Sequence, residues 1–343
     1  MSEDALEGCS LYNKVKTLPK TGNIVGMDKL SFSFPEDQIP DLQLEDEESR
    51  LRDGKIEFIR GRKGKIQVSR KNGYIQFTVN PAVYLYENNF YTVGYEDFLR
   101  MINEIEKEIG FSIKHGIVRI LHPQATIEVN QKPQYYFNTL SNSPRLHRSE
   151  EKTTLYYKTL GKGKYKILLF YDKKKQAGKN IPEDFKDGEY LRFENQYNSA
   201  FIKNIAKKIG KSQILIQDLI QPDVYKLFIN QWYKEHDNIC KENQFIFNPK
   251  NIQSPSDFDA PLICMCIESL GGIKEFEKML EATKPYINRP SDFFSKVRSR
   301  YRDICANAKT TQESPLLSEL NSKIDFAYQN TLAEIENYAK NIN

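Results

Sequence analysis

Residues 65–80 read KIQVSRKNGYIQFTVN, two runs of alternating apolar and polar side chains separated by Lys71, Asn72 and Gly73. Alternation with a period of two is typical of a strand that buries one face. Because Asn-Gly favours the tight turn of a hairpin, the two runs are predicted to pair antiparallel. This segment therefore indicates an antiparallel sheet.

The flanking segments extend this sheet and add a helix. A short strand is predicted over 29–34, and the acidic run 41–52 is predicted to be a surface loop. Apolar side chains then recur at helical spacing over 95–109, and Gly110 is placed to end the helix. The result is a strand-rich unit with one long amphipathic helix.

Further strands follow this helix, and a short helix interrupts them. The strands are predicted over 116–129, 153–158, 165–171 and 189–196, and the short helix over 133–140. This order indicates an α+β fold, with a largely antiparallel sheet and helices on one side.

Strand signals nearly vanish after residue 198, where helical periodicity dominates. We therefore predict three regions. A poorly ordered leader covers 1–26, an antiparallel-sheet domain covers 27–200, and an all-helical C-terminal domain covers 201–343.

Composition excludes several classes of protein. With 39% hydrophobic and 28% charged residues among 343, the chain is neither disordered nor collagenous, and it contains no apolar run long enough to span a membrane. Its five cysteines are an odd number without CxxC spacing, which excludes a zinc finger or disulfide framework and favours a reducing cytoplasm. The net charge of +4 says little about partners.

One candidate for chemistry is the strand end YKILLFYDKKK, residues 165–175. Strand alternation places Tyr171 at the end of a buried row, directly before a basic turn. A tyrosine with a pKa near 10 is a poor nucleophile at neutral pH and needs cations or a metal ion beside it. Lys173, Lys174 and Lys175 are candidates for that role. The alternative is a structural tyrosine at a strand edge.

A second candidate is YLRFE, residues 190–194, in which Leu191 and Phe193 face one way while Arg192 and Glu194 face the other. A carboxylate and a guanidinium two residues apart can bind a divalent metal ion and a DNA phosphate side by side. The alternative is a cross-strand ion pair.

The third candidate is His122 with Gln124, which project from the same side of the strand over 116–129. An imidazole and an amide oxygen at this spacing can share one Mg²⁺ or Mn²⁺ ion. The alternative is an ordinary surface or core histidine.

Three lysines form a basic helix face after the last strand. Lys203, Lys207 and Lys211 recur every four residues, opposite an apolar stripe. Such a row can follow the phosphates of DNA, and it can equally be a solvated helix face.

The order of these segments carries a resemblance over roughly residues 27–225. A DKLSFSF strand, the QFTVNPA segment, an amphipathic helix, a VRI strand, LLFYDK, and YLRFE before a lysine-bearing helix follow one another. This succession resembles the phage and plasmid replication initiators of the filamentous-phage gene II/gene X family. That family is similar to HUH-type and rolling-circle Rep endonucleases.

The resemblance implies an antiparallel-sheet nickase in which Tyr171 attacks a DNA phosphodiester and Glu194 is a metal ligand. Where that family has Arg-hydrophobic-Asp on the central strand, this chain has Arg119-Ile120-Leu121 followed by His122. We therefore expect His122 and Gln124 to replace the missing aspartate as ligands, in the manner of the His-hydrophobic-Gln motif of related Reps. Tyr171 and Lys174 also match the Tyr-x-x-Lys pattern of small Reps.

On this interpretation the chain nicks and rejoins single-stranded or supercoiled origin DNA with Mg²⁺ or Mn²⁺. Lys173, Lys175 and Arg192 would contact DNA together with the three helix lysines. No Walker A sequence is present, so a host helicase and a host polymerase are the expected partners, and no membrane is involved. The alternative is a non-catalytic DNA-binding protein of a phage or plasmid.

Overall fold

The computed structural model describes residues 24–40, 42–52, 55–159, 165–241, 273–288, 290–307 and 314–342, with isolated positions at 244–245, 254–255, 259, 262–263, 266 and 311–312. Residues 1–23 of the predicted leader lie outside the described part of the chain.

A ten-stranded antiparallel sheet forms the centre of the fold and confirms the predicted α+β class. The strands follow the order β2-β3-β4-β5-β1-β6-β10-β9-β8-β7. Their bounds are β1 Gly26–Pro35, β2 Glu45–Arg52, β3 Lys55–Lys63, β4 Ile66–Lys71, β5 Tyr74–Val79, β6 Ile117–Val129, β7 Leu146–Glu151, β8 Thr154–Thr159, β9 Lys166–Asp172 and β10 Glu189–Tyr197.

Helices separate and follow these strands. They are α1 Pro81–Tyr86, α2 Tyr95–Ile109, α3 Pro133–Phe137, α4 Lys173–Ala177, α5 Ser199–Lys208, α6 Ile216–Leu219, α7 Pro222–Asp237, α8 Ile273–Thr283, α9 Pro290–Asn307 and α10 Pro315–Ile342. Gly110 ends α2 in the left-handed conformation, with φ at 83°, as its position predicts. None of the described helices is both long and apolar enough to cross a membrane.

The sheet has two chemically different faces because side chains alternate along each strand. On one face, which we call the covered face, aromatic side chains pack against helices. The ring of Phe193 lies 4.8 Å from that of Trp232 in α7, and the ring of Phe201 in α5 stacks on Tyr197 at 4.2 Å. The other face, which we call the open face, carries Glu194 and the polar side chains described below.

The chain forms two compact units, and their boundaries differ from the predicted ones. The first contains residues 1–240 and 319–343, and the second contains 241–318. The predicted division at 200/201 does not separate them, because helices beyond it bury the covered face. Tyr225 of α7 packs on Tyr95 of α2 at 4.8 Å between ring centroids, which joins this helix to the sheet domain. In the second unit, Gln244–Phe245 and Thr311–Gln312 pair antiparallel.

The acidic run predicted as a loop is instead largely the edge strand β2. Its described side chains from Glu45 to Ser49 are exposed. Because neither face of this segment is apolar, the alternation that marks a half-buried strand is absent from its sequence. The strand pairs with β3, which was not predicted either.

Candidate metal centre and tyrosine site

Strand register brings four of the predicted residues together on the open face. Glu194 in β10 lies opposite Gln124 in β6, while Arg192 lies opposite both Thr126 in β6 and Tyr171 in β9. Directly opposite residues of an antiparallel pair share a face. The strand over 189–196 therefore has the predicted orientation. Arg192 and Glu194 lie on the open face, and Leu191 and Phe193 are fully buried on the covered face.

An irregularity in β1 adds an acid that the sequence did not single out. Met27 lies opposite Pro123 and Lys29 lies opposite His122, so Asp28 is an extra residue in the pairing of β1 with β6. Such a bulge changes the direction of a side chain relative to regular alternation. It directs the Asp28 carboxylate to the same place as His122 and Glu194.

Asp28, His122 and Glu194 form a cluster that can hold a metal ion, which we call the metal group. Each offers one ligand atom, and these atoms lie within 4.8 Å of one another. His122 Nδ1 lies 3.1 Å from Glu194 Oε1, and the Glu194 side chain is only 6% exposed. Two carboxylates and one imidazole are ligands that suit Mg²⁺ or Mn²⁺. The donor set therefore fits a divalent ion.

Tyr171 is joined directly to this group. Its hydroxyl donates a hydrogen bond to Glu194 Oε2 at 3.0 Å, and the amide of Gln196 donates to Glu194 Oε1 at 2.9 Å. Tyr171 is 8% exposed. The two oxygens of one carboxylate thus link the tyrosine to the histidine.

Arg192 is fully buried rather than available to DNA. Its guanidinium donates to Asp28 Oδ1 at 2.9 Å, to Thr126 Oγ1 at 2.8 Å and to the carbonyls of Asn89 and Phe90. A guanidinium with this many partners positions the Asp28 carboxylate and balances its charge. The prediction that Arg192 contacts a DNA phosphate does not fit this burial, and its ion pair is with β1 rather than with a neighbouring strand.

A close approach between the backbone at Gly26 and the segment before α2 positions the carbonyls of Asn89 and Phe90. A Cβ atom on Gly26 would lie 2.0 Å from the carbonyl oxygen of Val93, so only glycine admits the segment that precedes α2 at this point. The same segment carries Asn89 and Phe90 to the guanidinium of Arg192.

The pKa values of the two carboxylates in the metal group are shifted in opposite directions. Although burial raises the pKa of Glu194, the hydrogen bond and charge of His122 outweigh it and lower that pKa to about 2. Burial raises the pKa of Asp28, and the neighbouring Arg192 only partly offsets this. Glu194 is therefore the more strongly ionised member of the group.

Burial also dominates the behaviour of Tyr171. It raises the pKa of the phenol well above its ordinary value, Arg192 lowers it in part, and Glu194 raises it further. Tyr171 is therefore a neutral hydrogen-bond donor at neutral pH. Its ionisation requires additional positive charge near the hydroxyl.

Gln124 lies beside the metal group and forms hydrogen bonds with two threonines. It shares the open face with Glu194, but its amide nitrogen donates to Thr92 Oγ1 at 3.2 Å and its oxygen accepts from Thr126 at 3.4 Å. These bonds hold the amide between neighbouring hydroxyls. Asp28 joins His122 and Glu194 in the metal group, and the role of Gln124 as a ligand stays a prediction.

The three lysines after Tyr171 have three different environments. Lys174 Nζ donates to the carbonyls of Lys186 at 2.5 Å and Gly188 at 2.9 Å, and none of its recorded contacts reaches Tyr171. Its predicted catalytic role therefore has no support in the geometry. Lys175 is exposed and pairs with Asp172 at 3.4 Å, so it remains available to a ligand.

Lys173 is fully buried, contrary to its predicted role at a DNA surface. Its ammonium donates to Gln176 Oε1 at 2.8 Å and lies 5.8 Å from the ring centroid of Phe90. Burial, aided by Arg192, lowers the pKa of Lys173 from 10.5 to about 6, against the opposing effect of Asp28 and Glu194. The folded protein thus holds a largely neutral amine at pH 7.

We expect Lys173→Met to stabilise the protein. The unfolded chain binds a proton at Lys173 up to about pH 10.4, whereas the folded state releases it above about pH 6. Stability therefore rises with pH between these values, and the cost of burying the lysine is largest below pH 6. The free energy of unfolding at pH 7 should increase by about 1–3 kcal/mol, and the gain should shrink towards pH 10.

Urea unfolding at a series of pH values measures this effect. Lys175→Met is the matched control, since the Lys175 side chain is 55% exposed and no such pH-dependent gain is expected. A Lys173→Met variant that is less stable than the wild type at every pH would contradict the interpretation.

The basic face of α5 is present but not uniformly free. Lys203 and Lys207 are exposed, whereas Lys211, just beyond the helix, pairs with Asp218 at 2.5 Å. The helix packs on the covered face through Phe201. The contact of these lysines with DNA stays a prediction.

No family model matches this chain, and a search of curated proteins found none that matches it.

Proposed function

We propose that this chain is a DNA nicking and joining enzyme that initiates rolling-circle replication. One observation carries the proposal, namely that the Tyr171 hydroxyl donates to a carboxylate of the metal group at 3.0 Å. A nucleophile beside a divalent metal site is the combination that covalent cleavage of a phosphodiester requires. The antiparallel sheet and the resemblance to phage and plasmid initiators support DNA as the substrate and a fold related to the HUH-type Reps.

In the proposed reaction the Tyr171 oxygen attacks the scissile phosphorus. A bond forms between this oxygen and phosphorus while the bond from phosphorus to the 3′ oxygen breaks. The tyrosyl proton passes to solvent, because Glu194, which accepts its hydrogen bond, is too weak a base to keep it, and the departing 3′ oxygen takes a proton from solvent. The products are a 5′-phosphotyrosine and a free 3′ hydroxyl from which a host polymerase can extend.

The chain's own residues hold the reacting groups in place. Glu194 orients the hydroxyl, while Arg192 supplies positive charge that favours ionisation of Tyr171. A divalent ion held by Asp28, His122 and Glu194 would neutralise charge on the phosphate. These positions explain why an otherwise weakly nucleophilic phenol would react.

The phosphotyrosine conserves the energy of the broken ester, so attack by a later 3′ hydroxyl can reverse the step and close a circle. This joining needs no ATP. It agrees with the lack of a Walker A sequence, and a separate host helicase would unwind the origin.

A non-catalytic DNA-binding protein is the second candidate function. The burial of Tyr171 favours it, because a hydroxyl that is inaccessible and held neutral has the properties of a structural group. On this view the metal group and Arg192 stabilise the centre of the sheet.

A nicking assay separates the two functions. Wild-type protein should convert supercoiled origin DNA to the open circle with Mg²⁺ or Mn²⁺ and should be inactive in EDTA. Loss of one metal ligand should weaken transition-state stabilisation by several kcal/mol, so His122→Ala should reduce nicking roughly 10³-fold.

His147→Ala is the matched control, since His147 is an exposed histidine in β7. This edge strand lies three places away from β10, which carries Glu194. It should nick like the wild type. DNA binding without metal-dependent nicking in the wild-type protein would favour the non-catalytic function instead.

A further inference from the structure

The open face continues from the metal group across β6, β1, β5, β4 and β3 as a surface of polar side chains. The alternation of burial along β5, where Ile75, Phe77 and Val79 are buried, leaves the intervening residues on the open face. Register aligns these residues in two rows, with Arg60, Ser69, Gln76 and Ser33 in the first and Arg62, Gln67, Thr78 and Ser31 in the second.

A guanidinium and an aromatic ring stand together at the end of the first row. Arg119 lies at an irregularity in the pairing of β1 with β6, and its Nε donates to Ser33 Oγ at 2.7 Å. Its guanidinium carbon lies 5.6 Å from the ring centroid of Tyr74, which is 43% exposed. An exposed tyrosine ring provides a flat surface on which a base can stack.

Cations on this face lack carboxylate partners among the described residues. Lys29, Arg60, Arg62 and Arg119 have no carboxylate oxygen within ion-pair distance in the part of the chain that the structure describes. Lys29 lies opposite His122, next to the metal group. Strands β4 and β5 contain no acidic residue, whereas β3 carries Glu57, and β2 places Glu48 opposite Arg60 and Glu45 opposite Arg62.

We propose that single-stranded DNA lies across this face on its way to Tyr171. Its phosphates contact Arg60, Arg62, Arg119 and Lys29, and one base stacks on the exposed face of Tyr74. Four strand spacings separate β3 from β6, about 19 Å in all, which gives an extended strand several contacts. This inference rests on the proposed function, and it adds the surface that binds the single-stranded substrate.

Two features favour a single strand over a duplex. Stacking on Tyr74 needs a base with a free face, which a duplex does not offer along its length. The cations also form a band along the sheet and are interleaved with hydrogen-bonding Ser, Thr and Gln side chains, as expected for a surface that follows one backbone without reading its sequence.

Fluorescence anisotropy with a labelled single-stranded oligonucleotide of mixed sequence tests the proposal in EDTA, where nicking does not contribute. Tyr74→Ala should weaken binding about 5- to 150-fold through loss of one stacked base, whereas Tyr74→Phe should bind like the wild type. Arg119→Gln should lower the slope of log K against log salt by about 0.7, the value for one phosphate of a single strand.

Lys107→Gln is the control for charge, since Lys107 is exposed on α2. It should leave the slope unchanged. Equal binding by Tyr74→Ala and wild type would overturn the proposal, as would a duplex that binds more tightly than the single strand. A slope that falls for Lys203→Gln and Lys207→Gln but not for Arg119→Gln would assign the DNA to α5 instead. Because none of these readouts involves cleavage, they fail independently of the nicking assay.

Discussion

Tyr171→Phe should form no covalent adduct with DNA, whereas the wild-type protein becomes attached to the 5′ phosphate of the nicked strand. Only the hydroxyl is removed, so the ring still packs and the loss of its hydrogen bond to Glu194 should cost about 1–3 kcal/mol of stability. DNA binding should persist. Denaturing gel electrophoresis of the protein after incubation with labelled oligonucleotide and Mn²⁺ measures the adduct directly.

Two other tyrosines test whether Tyr171 is the nucleophile, one as a control and one as an alternative. Tyr190→Phe is the control, because Tyr190 is buried in a cluster with Phe90 and Phe185 and should retain the adduct. Tyr156 lies on β8 opposite Leu169, which in turn lies opposite Glu194, so its ring shares the open face. If Tyr156→Phe loses the adduct and Tyr171→Phe keeps it, Tyr171 is not the nucleophile.

Glu194→Gln should remove metal-dependent nicking almost completely, by at least about 10³-fold. Glu194 has the lower pKa of the two carboxylates in the group and bonds to both His122 and Tyr171. The amide of Glu194→Gln would therefore remove the charge of one ligand and also disturb the nucleophile. Calorimetric titration with Mn²⁺ should show weakened metal binding in the same variant, and urea unfolding checks that the fold is retained.

Neighbouring residues test whether the effect is specific. Asp28→Asn should also weaken Mn²⁺ binding, whereas Glu189→Gln, at the start of the same strand as Glu194, should not. Gln124→Ala should retain most of the metal affinity, because its amide is bound to Thr92 and Thr126. Unchanged Mn²⁺ affinity in both Glu194→Gln and Asp28→Asn would exclude the metal group as a binding site.

Much of the sheet could be predicted because a strand that buries one face has alternating apolar and polar residues in its own sequence. The hairpin of β4 and β5, the helix α2 and the facing of Arg192 and Glu194 away from the core all follow from alternation or helical spacing. Strands β2 and β7 could not be found in this way. Both end the sheet, with most described side chains exposed or partly exposed, so their apolar pattern is weak.

The burial and the partners of charged residues were predicted less well than the positions of the strands. Three consecutive lysines after Tyr171 look alike in the sequence, yet one is buried, one anchors a loop and one is exposed. Their directions depend on the short helix α4, which begins immediately after β9 and is capped by Asp172. Sequence patterns of charge do not contain that information.

Local periodicity predicts an α+β chain with an antiparallel sheet, and it places Tyr171, His122 and Glu194 on strands beside polar residues. The presence of Asp28 beside them depends on the folded chain, because β1 and β6 are far apart in the sequence and a bulge must turn the carboxylate towards the others. The signal in the sequence was a lone acid at the start of an apolar strand. Its meaning depends on which strand lies next to it, a contact between distant residues that local periodicity does not encode.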